Sequence, residues 1–179
     1  MNTKTKQEIR REAKEAVKRL NFEQKKSKSS LIFKIIADLE VVKQAKTIAL
    51  YASLPDEVIS LEAIEYLSSH CRIVLPRVAG EDMDFYPYIP NTLQRGAFGI
   101  NEPQGEEPCT PSEIDVIIVP GVAFTKDGKR CGRGKGYYDK YLSREGFRAV
   151  KIGVCYTEQL AECIPNEPHD ITMDCVIFD

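Results

Sequence analysis

No stretch of the chain approaches the roughly 18 consecutive apolar residues that a membrane-spanning helix requires, so no span is expected. The opening MNTKTKQEIRREAKE has neither an apolar core nor a small-residue cleavage site, and Glu8, Glu12 and Glu15 oppose an organellar transit peptide. The six cysteines form no CxxC pair, and there are only two histidines, neither at finger spacing from a cysteine pair. A zinc centre and a disulfide framework are therefore not expected, and the cysteines read as reduced thiols of a cytoplasmic protein. Net charge is nearly absent, at −2, which argues against a dedicated basic nucleic-acid binder. No Ser-His-Asp or Cys-His arrangement stands out.

What is present is globular: 179 residues, 42% hydrophobic and 29% charged, enough for one domain spanning 1–179 with its own core. The small net charge hides an asymmetry. Residues 1–30 carry ten Lys/Arg against four Asp/Glu, a local +6, leaving −8 for the rest.

Ile9, Ala13, Ala16, Val17 and Leu20 recur at helical spacing and predict an amphipathic first helix. Asn21 and Gln24 have capping-box spacing for a second, with Leu31, Ile32, Ile35, Ile36 and Leu39 as its apolar face. The period then changes. Thr47–Tyr51 reads as a buried strand, Ser60 as the cap of a short helix with Leu61, Ile64 and Leu67 inward, and Ile73–Leu75 as a strand stopped by Pro76. Met83–Tyr88 is a candidate third strand, and residues 89–113, rich in Pro, Gly and acid, suit a surface loop. Asp115–Val119 is the most apolar strand, followed by a helix over Tyr137–Arg144 and strands over Ala149–Val154 and Cys175–Phe178. Strands alternating with helices predict an α/β layered sheet, mostly parallel.

One segment carries chemistry: Pro120 to Asp139, PGVAFTKDGKRCGRGKGYYD, after the most apolar strand and before a helix, where α/β sheets place ligands. Gly132, Gly134 and Gly136 alternate with Arg133 and Lys135. Glycines let backbone N–H groups approach a ligand, and the interleaved cations neutralise phosphate oxygens. It is neither a Walker A loop, since Gly134-Lys135 is followed by Gly136, nor a GxGxxG fingerprint, since Tyr137 stands at the third glycine. Tyr137 and Tyr138 either stack on a ring or pack the helix start, one of them in the core. Asp139 either holds a divalent cation against phosphate or complements the helix dipole, with Asp170 or Asp174 as a second carboxylate. Glu57 lies beyond the first strand, on the same sheet edge. Lys6 and Arg10 share a helix face at i,i+4, which spacing alone reads as a solvated face.

These residues together resemble the 5-formyltetrahydrofolate cyclo-ligase family. The resemblance rests on Pro120–Phe124, Gly128 and Arg130–Asp139, supported by Lys6–Arg10, Tyr51–Glu57, Phe98–Pro103 and His169-Asp170, and it extends along nearly the whole chain. It implies an ATP- and Mg²⁺-dependent conversion of 5-formyltetrahydrofolate to 5,10-methenyltetrahydrofolate, on a three-layer α/β/α sandwich like that of sugar-phosphate isomerases and CoA transferases. It further implies ATP contacts from Lys6, Arg10, Arg130, Gly132, Arg133, Gly134, Lys135, Gly136, Tyr137 and Tyr138. Folate would meet Ala52, Glu57 and the run from Arg133 to Tyr137, and Mg²⁺ would meet Asp139 and Asp170. Lys135 and Arg133 would be catalytic, beside the transferring phosphoryl group. The implied protein is a monomer acting on a small molecule, with no nucleic acid or membrane partner. Ala52, Phe98 and Asn101 depart from common family residues. The competing readings are a nucleic-acid module using the Gly/Arg/Tyr loop, and another ATP-dependent ligase on the same cradle.

Overall fold

The structure, a computed structural model, describes residues 4–96 and 99–179. Two amphipathic helices open the chain, α1 over Lys6–Lys18 and α2 over Phe22–Asp38, each starting in a full capping box, Thr5 with Glu8 and Asn21 with Gln24. A short α3, Glu40–Lys43, leads into β1, Thr47–Ala49, and α4, Leu61–Ser68, into the hairpin of β2, Arg72–Ala79, and β3, Asp82–Pro87. Two small ribbons follow. One pairs β4, Gln94–Arg95, with β5, Asn101–Glu102; the other, across the central strand β6, Val116–Pro120, pairs β7, Ala123–Phe124, with β8, Arg130–Cys131. Helix α5, Tyr137–Leu142, and strands β9, Val150–Val154, and β10, Cys175–Ile177, complete the fold.

The main sheet has the order β10-β9-β6-β1-β2-β3, parallel except for the antiparallel β2–β3 hairpin. Alternation along its strands sends side chains to two cores. Ile48, Leu50, Ile73, Leu75, Val116 and Ile118 meet α2 and α4 on one face. Ala49, Val74, Ile117 and Val119 meet Phe85, Tyr141 and Leu142 on the other. Burial on both faces explains why the central strands read as continuous apolar runs, each large side chain contributing about 1.5–3 kcal/mol.

Several local expectations are corrected. On α2 the buried stripe is Ser29, Ile32, Phe33 and Ile36, while Leu31 and Ile35 are exposed. Ser29 is inside because its hydroxyl accepts the Ile59 N–H at 2.9 Å and meets the Tyr156 hydroxyl at 3.1 Å. Leu61 is exposed, and Ser60 occupies the N-cap of α4 without capping it: its hydroxyl donates to the Tyr51 carbonyl at 2.5 Å. Pro76 does not stop β2. The Val74 carbonyl takes the Leu50 N–H on the β1 side, so two residues on Pro76 faces the same side, where β1 has ended and no donor is needed. Residues 89–113 are not wholly loop, since they contain the β4–β5 ribbon and a 3₁₀ turn at Pro111–Glu113.

Two features position the site. Ile9 and Ala13 of α1 pack on Val122, Ala123 and Cys131, seating the first helix on the β7–β8 ribbon. That ribbon turns at Gly128, whose φ of +96° and close approach to the Met173 carbonyl leave no room for a side chain.

Candidate functional site

The C-terminal ends of β1 and β6 open onto a cavity of about 800 Å³. All fourteen residues named above for the site line it: Lys6 and Arg10 from α1, Ala52 and Glu57 after β1, Arg130 to Tyr138 and Asp139 after β6, and Asp170 before β10. The basic pair on α1 is thus not a solvated face. It stands against the glycine loop because α1 docks on the ribbon that carries that loop.

On the side of the glycine loop, Arg10 Nε donates to the Gly132 carbonyl at 2.7 Å. Gly134 and Gly136 have φ of +94° and +72°, a left-handed backbone that favours glycine and bares the N–H groups of the turn. Arg130 is anchored by Nε to the Pro120 carbonyl at 2.9 Å, lies 3.5 Å from Asp139 Oδ2, and covers the Tyr138 ring at 5.0 Å. Neither adjacent tyrosine is fully buried, contrary to the expectation that one is core; both are half-buried cavity walls, with Tyr137 donating its hydroxyl to the Gly80 carbonyl. Lys135 is exposed and, among the described residues, is the one cavity cation with no ion pair or hydrogen bond to protein.

On the opposite wall Glu57 is 6% exposed. Its Oε1 accepts from Arg133 Nε at 3.1 Å and Nη2 at 3.0 Å, and its Oε2 accepts the Leu54 N–H at 2.9 Å. Burial pushes the Glu57 carboxyl up, and Leu54 and Arg133 offset this only in part. Arg133 also meets Asp56 at 2.5 Å. Burial acts upward on Asp56 as well, but Arg133 holds its carboxyl below the ordinary range. The Glu57 loop is pinned from behind: the Tyr156 hydroxyl donates to the Glu57 carbonyl at 3.0 Å, and the Tyr51 hydroxyl to Val58 at 2.7 Å.

At the third side Lys6 Nζ reaches Asp170 Oδ2 at 2.6 Å and Glu167 Oε2 at 2.7 Å. Burial works against the Lys6 charge, yet the two carboxylates raise it; burial likewise works against Asp170, yet Lys6 and the Glu167 N–H lower it. Asp139 Oδ1 accepts the Ile171 N–H at 3.2 Å, so its carboxylate meets the backbone of the residue that follows Asp170. Asp174 is excluded as the partner of Asp139. It binds the Lys151 N–H at the N-terminal ends of β9 and β10, away from the cavity.

Reasoning from sequence missed Glu167, Tyr51 and the buried Glu102, all of which line the cavity. Glu167 was legible only as a neighbour of His169-Asp170, and Glu102 only as part of Gly99–Pro103. Phe98 lies outside the described residues; Asn101 is exposed on β5.

Comparison with known proteins agrees with this layout. The profile of the 5-formyltetrahydrofolate cyclo-ligase family matches residues 2–179. The 5-formyltetrahydrofolate cyclo-ligase of Saccharomyces cerevisiae is 31% identical, over 97% of this chain and 94% of its own. That of Haemophilus influenzae is 30% identical over 97% of both. The solution structure of Aquifex aeolicus 5,10-methenyltetrahydrofolate synthetase superposes with a TM-score of 0.87 at 34% identity, covering 97% of this chain and 89% of that one. Its Mycoplasma pneumoniae counterpart gives 0.78 at 29% identity, covering 96% and 97%. A chain matched along its whole length in sequence, fold and order of motifs belongs to the 5-formyltetrahydrofolate cyclo-ligase family of enzymes.

Proposed function

We propose that this protein converts 5-formyltetrahydrofolate and ATP into 5,10-methenyltetrahydrofolate, ADP and phosphate in this cavity, as a single catalytic unit of residues 1–179. The observation that carries the reading is the meeting of two basic segments, Lys6 with Arg10 and Arg130 to Lys135, opposite a buried carboxylate wall in a member of this family. Those cations and the N–H groups of the glycine turn suit a triphosphate. The less polar side, with Tyr51, Ala52, Leu54 and Val78, suits a pterin ring.

A formamide oxygen is a poor leaving group. In the proposed reaction it attacks the γ-phosphorus, the bond to the ADP oxygen breaks, and ADP leaves. The neighbouring N10 lone pair then attacks the formyl carbon, phosphate departs with the C–O bonding pair, and N10 releases its proton. No protein nucleophile is needed, only positioning and neutralisation of the charge on the transferring group. Lys135, free of protein partners among the described residues, serves that charge. Arg133, held by Glu57, spans from the folate wall to the phosphates. Lys6, Arg10 and Arg130 hold the rest of the polyphosphate.

Mg²⁺ fits Asp139 and Asp170. Both are hard oxygen donors, Asp139 bonded to the residue after Asp170, and each carboxylate keeps lone pairs beyond those already accepting, which matches the one or two carboxylates that Mg²⁺ takes alongside phosphate oxygens and water. A bound Mg²⁺ would withdraw charge from the phosphate oxygens. The same acids, with Glu57 and Glu167, make the cavity a poor track for single-stranded nucleic acid.

The test is spectroscopic: protein, 5-formyltetrahydrofolate, ATP and Mg²⁺ together should generate the near-ultraviolet absorbance of the methenyl product. Absence of that signal from folded protein would exclude the reading.

A further inference from the structure

A buried carboxylate ordinarily has its oxygens fully engaged, because desolvating it unpaired is costly. Glu57 obeys that rule. Glu102, on β5 across the cavity, does not. Its residue is 7% exposed, yet its one hydrogen bond is a long contact at 3.4 Å from the Val78 N–H to Oε1. Oε2 accepts nothing among the described residues, and no cation pairs with either oxygen. The nearby Arg77 is committed elsewhere: it donates to the carbonyls of Pro103 and Gly105 and lies 3.6 Å over the Tyr86 ring.

The surroundings confine this carboxylate, and among the described residues no donor besides the Val78 N–H meets it. A Cβ on Gly96 would collide with the Glu102 carboxylate, so the β4–β5 ribbon folds tightly around it. The neighbouring cavity wall is Pro76, Val78, Met83 and Ile100, which offers apolar surface. An apolar slot with one under-used anionic acceptor selects a flat ring carrying N–H groups on its rim. It repels anions, so neither the triphosphate nor the glutamate tail of a folate can occupy it. Of the two rings in the proposed reaction, adenine offers only its 6-amino group, whereas the reduced pterin offers an adjacent 2-amino group and N3–H as well as N8–H, and so suits a carboxylate acceptor better.

We infer that Glu102 is a specificity residue for the folate substrate, its carboxylate accepting a hydrogen bond from an N–H donor on the rim of the reduced pterin. The inference rests on the folate reading of the cavity and adds a second buried carboxylate to Glu57. The two have different tasks. Glu57 accepts three hydrogen bonds, from Arg133 and Leu54, and fixes the arginine, whereas Glu102 accepts one long contact and is held in reserve for ligand.

Affinity and stability move in opposite directions at such a position, because a residue kept under-bonded for a ligand costs the empty protein stability. Calorimetric binding of 5-formyltetrahydrofolate and of Mg-ATP, with thermal melting, would be compared for wild type, Glu102→Leu and Glu102→Gln. Glu102→Leu should weaken folate binding about tenfold or more, the scale of one lost hydrogen bond to a charged group. It should leave Mg-ATP affinity within about twofold and the melting temperature unchanged or higher. Glu102→Gln, which keeps an acceptor oxygen without the charge, should lose less folate affinity than Glu102→Leu. Unchanged folate affinity in Glu102→Leu, or a lowered melting temperature with both ligands weakened alike in the two variants, would overturn the inference while leaving the folate reading intact. Failure of the wild type itself to bind 5-formyltetrahydrofolate would overturn both.

Discussion

Lys135 and Glu57 show how differently two residues of one cavity meet the empty state. Glu57 is buried and bonded at both oxygens, so its geometry is set by Leu54 and Arg133 before any ligand arrives. Lys135 is exposed on a left-handed turn and, among the described residues, bonds to nothing in the protein, so its whole value lies in what it meets in the complex. Lys135→Ala should therefore lower kcat by roughly a hundredfold or more, the scale of removing one preorganised charge from a transition state. Its melting temperature should stay near that of wild type, since exposed substitutions usually act within about 0.5 kcal/mol. Steady-state kinetics and a thermal melt check this together, and full turnover in the variant would remove Lys135 from its assigned role. The glycine alternation made this residue legible in the sequence. The reserve of Glu102 was not legible, because no spacing reports which carboxylate lacks a donor.

At the scale of elements, helix α1 is clasped to the segment before β10 by Lys6 with Asp170 and Glu167, residues more than 160 positions apart. The i,i+4 pair Lys6 and Arg10 looked solvated in one dimension because periodicity carries no information about partners so distant. The same blindness explains α2, where a polar Ser29 belongs to the buried stripe through Ile59 and Tyr156, two contacts outside the helix. The caps of α1 and α2 are local chemistry, and the one at Asn21 and Gln24 was read directly. Lys6→Met should test the clasp. Breaking it leaves Asp170 and Glu167 without their cation and should cost about 1–3 kcal/mol at neutral pH, the penalty of stranding a part-buried charged partner. The pH dependence has a definite sign. Asp170 has a lowered folded-state pKa, so its share is present above about pH 4 and disappears as pH falls through the folded value. Lys6 has a raised one, so its share is present below about pH 10 and disappears as pH rises beyond it. The stability gap between wild type and Lys6→Met should be flat between those limits and close outside them. Denaturant unfolding across pH would show it, and a gap that stayed constant below pH 3 would contradict the clasp.

For the whole molecule, parallel strands β1 and β6 end side by side, and their C-terminal loops deliver Glu57 and the glycine loop to one place. That rule was readable from Thr47–Tyr51 and Asp115–Val119 as apolar strands followed by polar, glycine-rich segments. The acidic third wall, from a loop before the last strand, and α1 docked through Ile9 and Ala13 required the fold itself. The N-terminal positive charge noted at the outset thus has a place: part of it lines the cavity proposed for ATP, within a nearly neutral protein. The central claim is that this assembly activates a formyl oxygen by phosphorylating it. The measurement that tests this most directly uses 5-formyltetrahydrofolate labelled with ¹⁸O in the formyl group, with ATP and Mg²⁺, and mass analysis of the released phosphate. One ¹⁸O atom in each phosphate is the expected result. Methenyl product formed while the label appears in water instead would contradict the account.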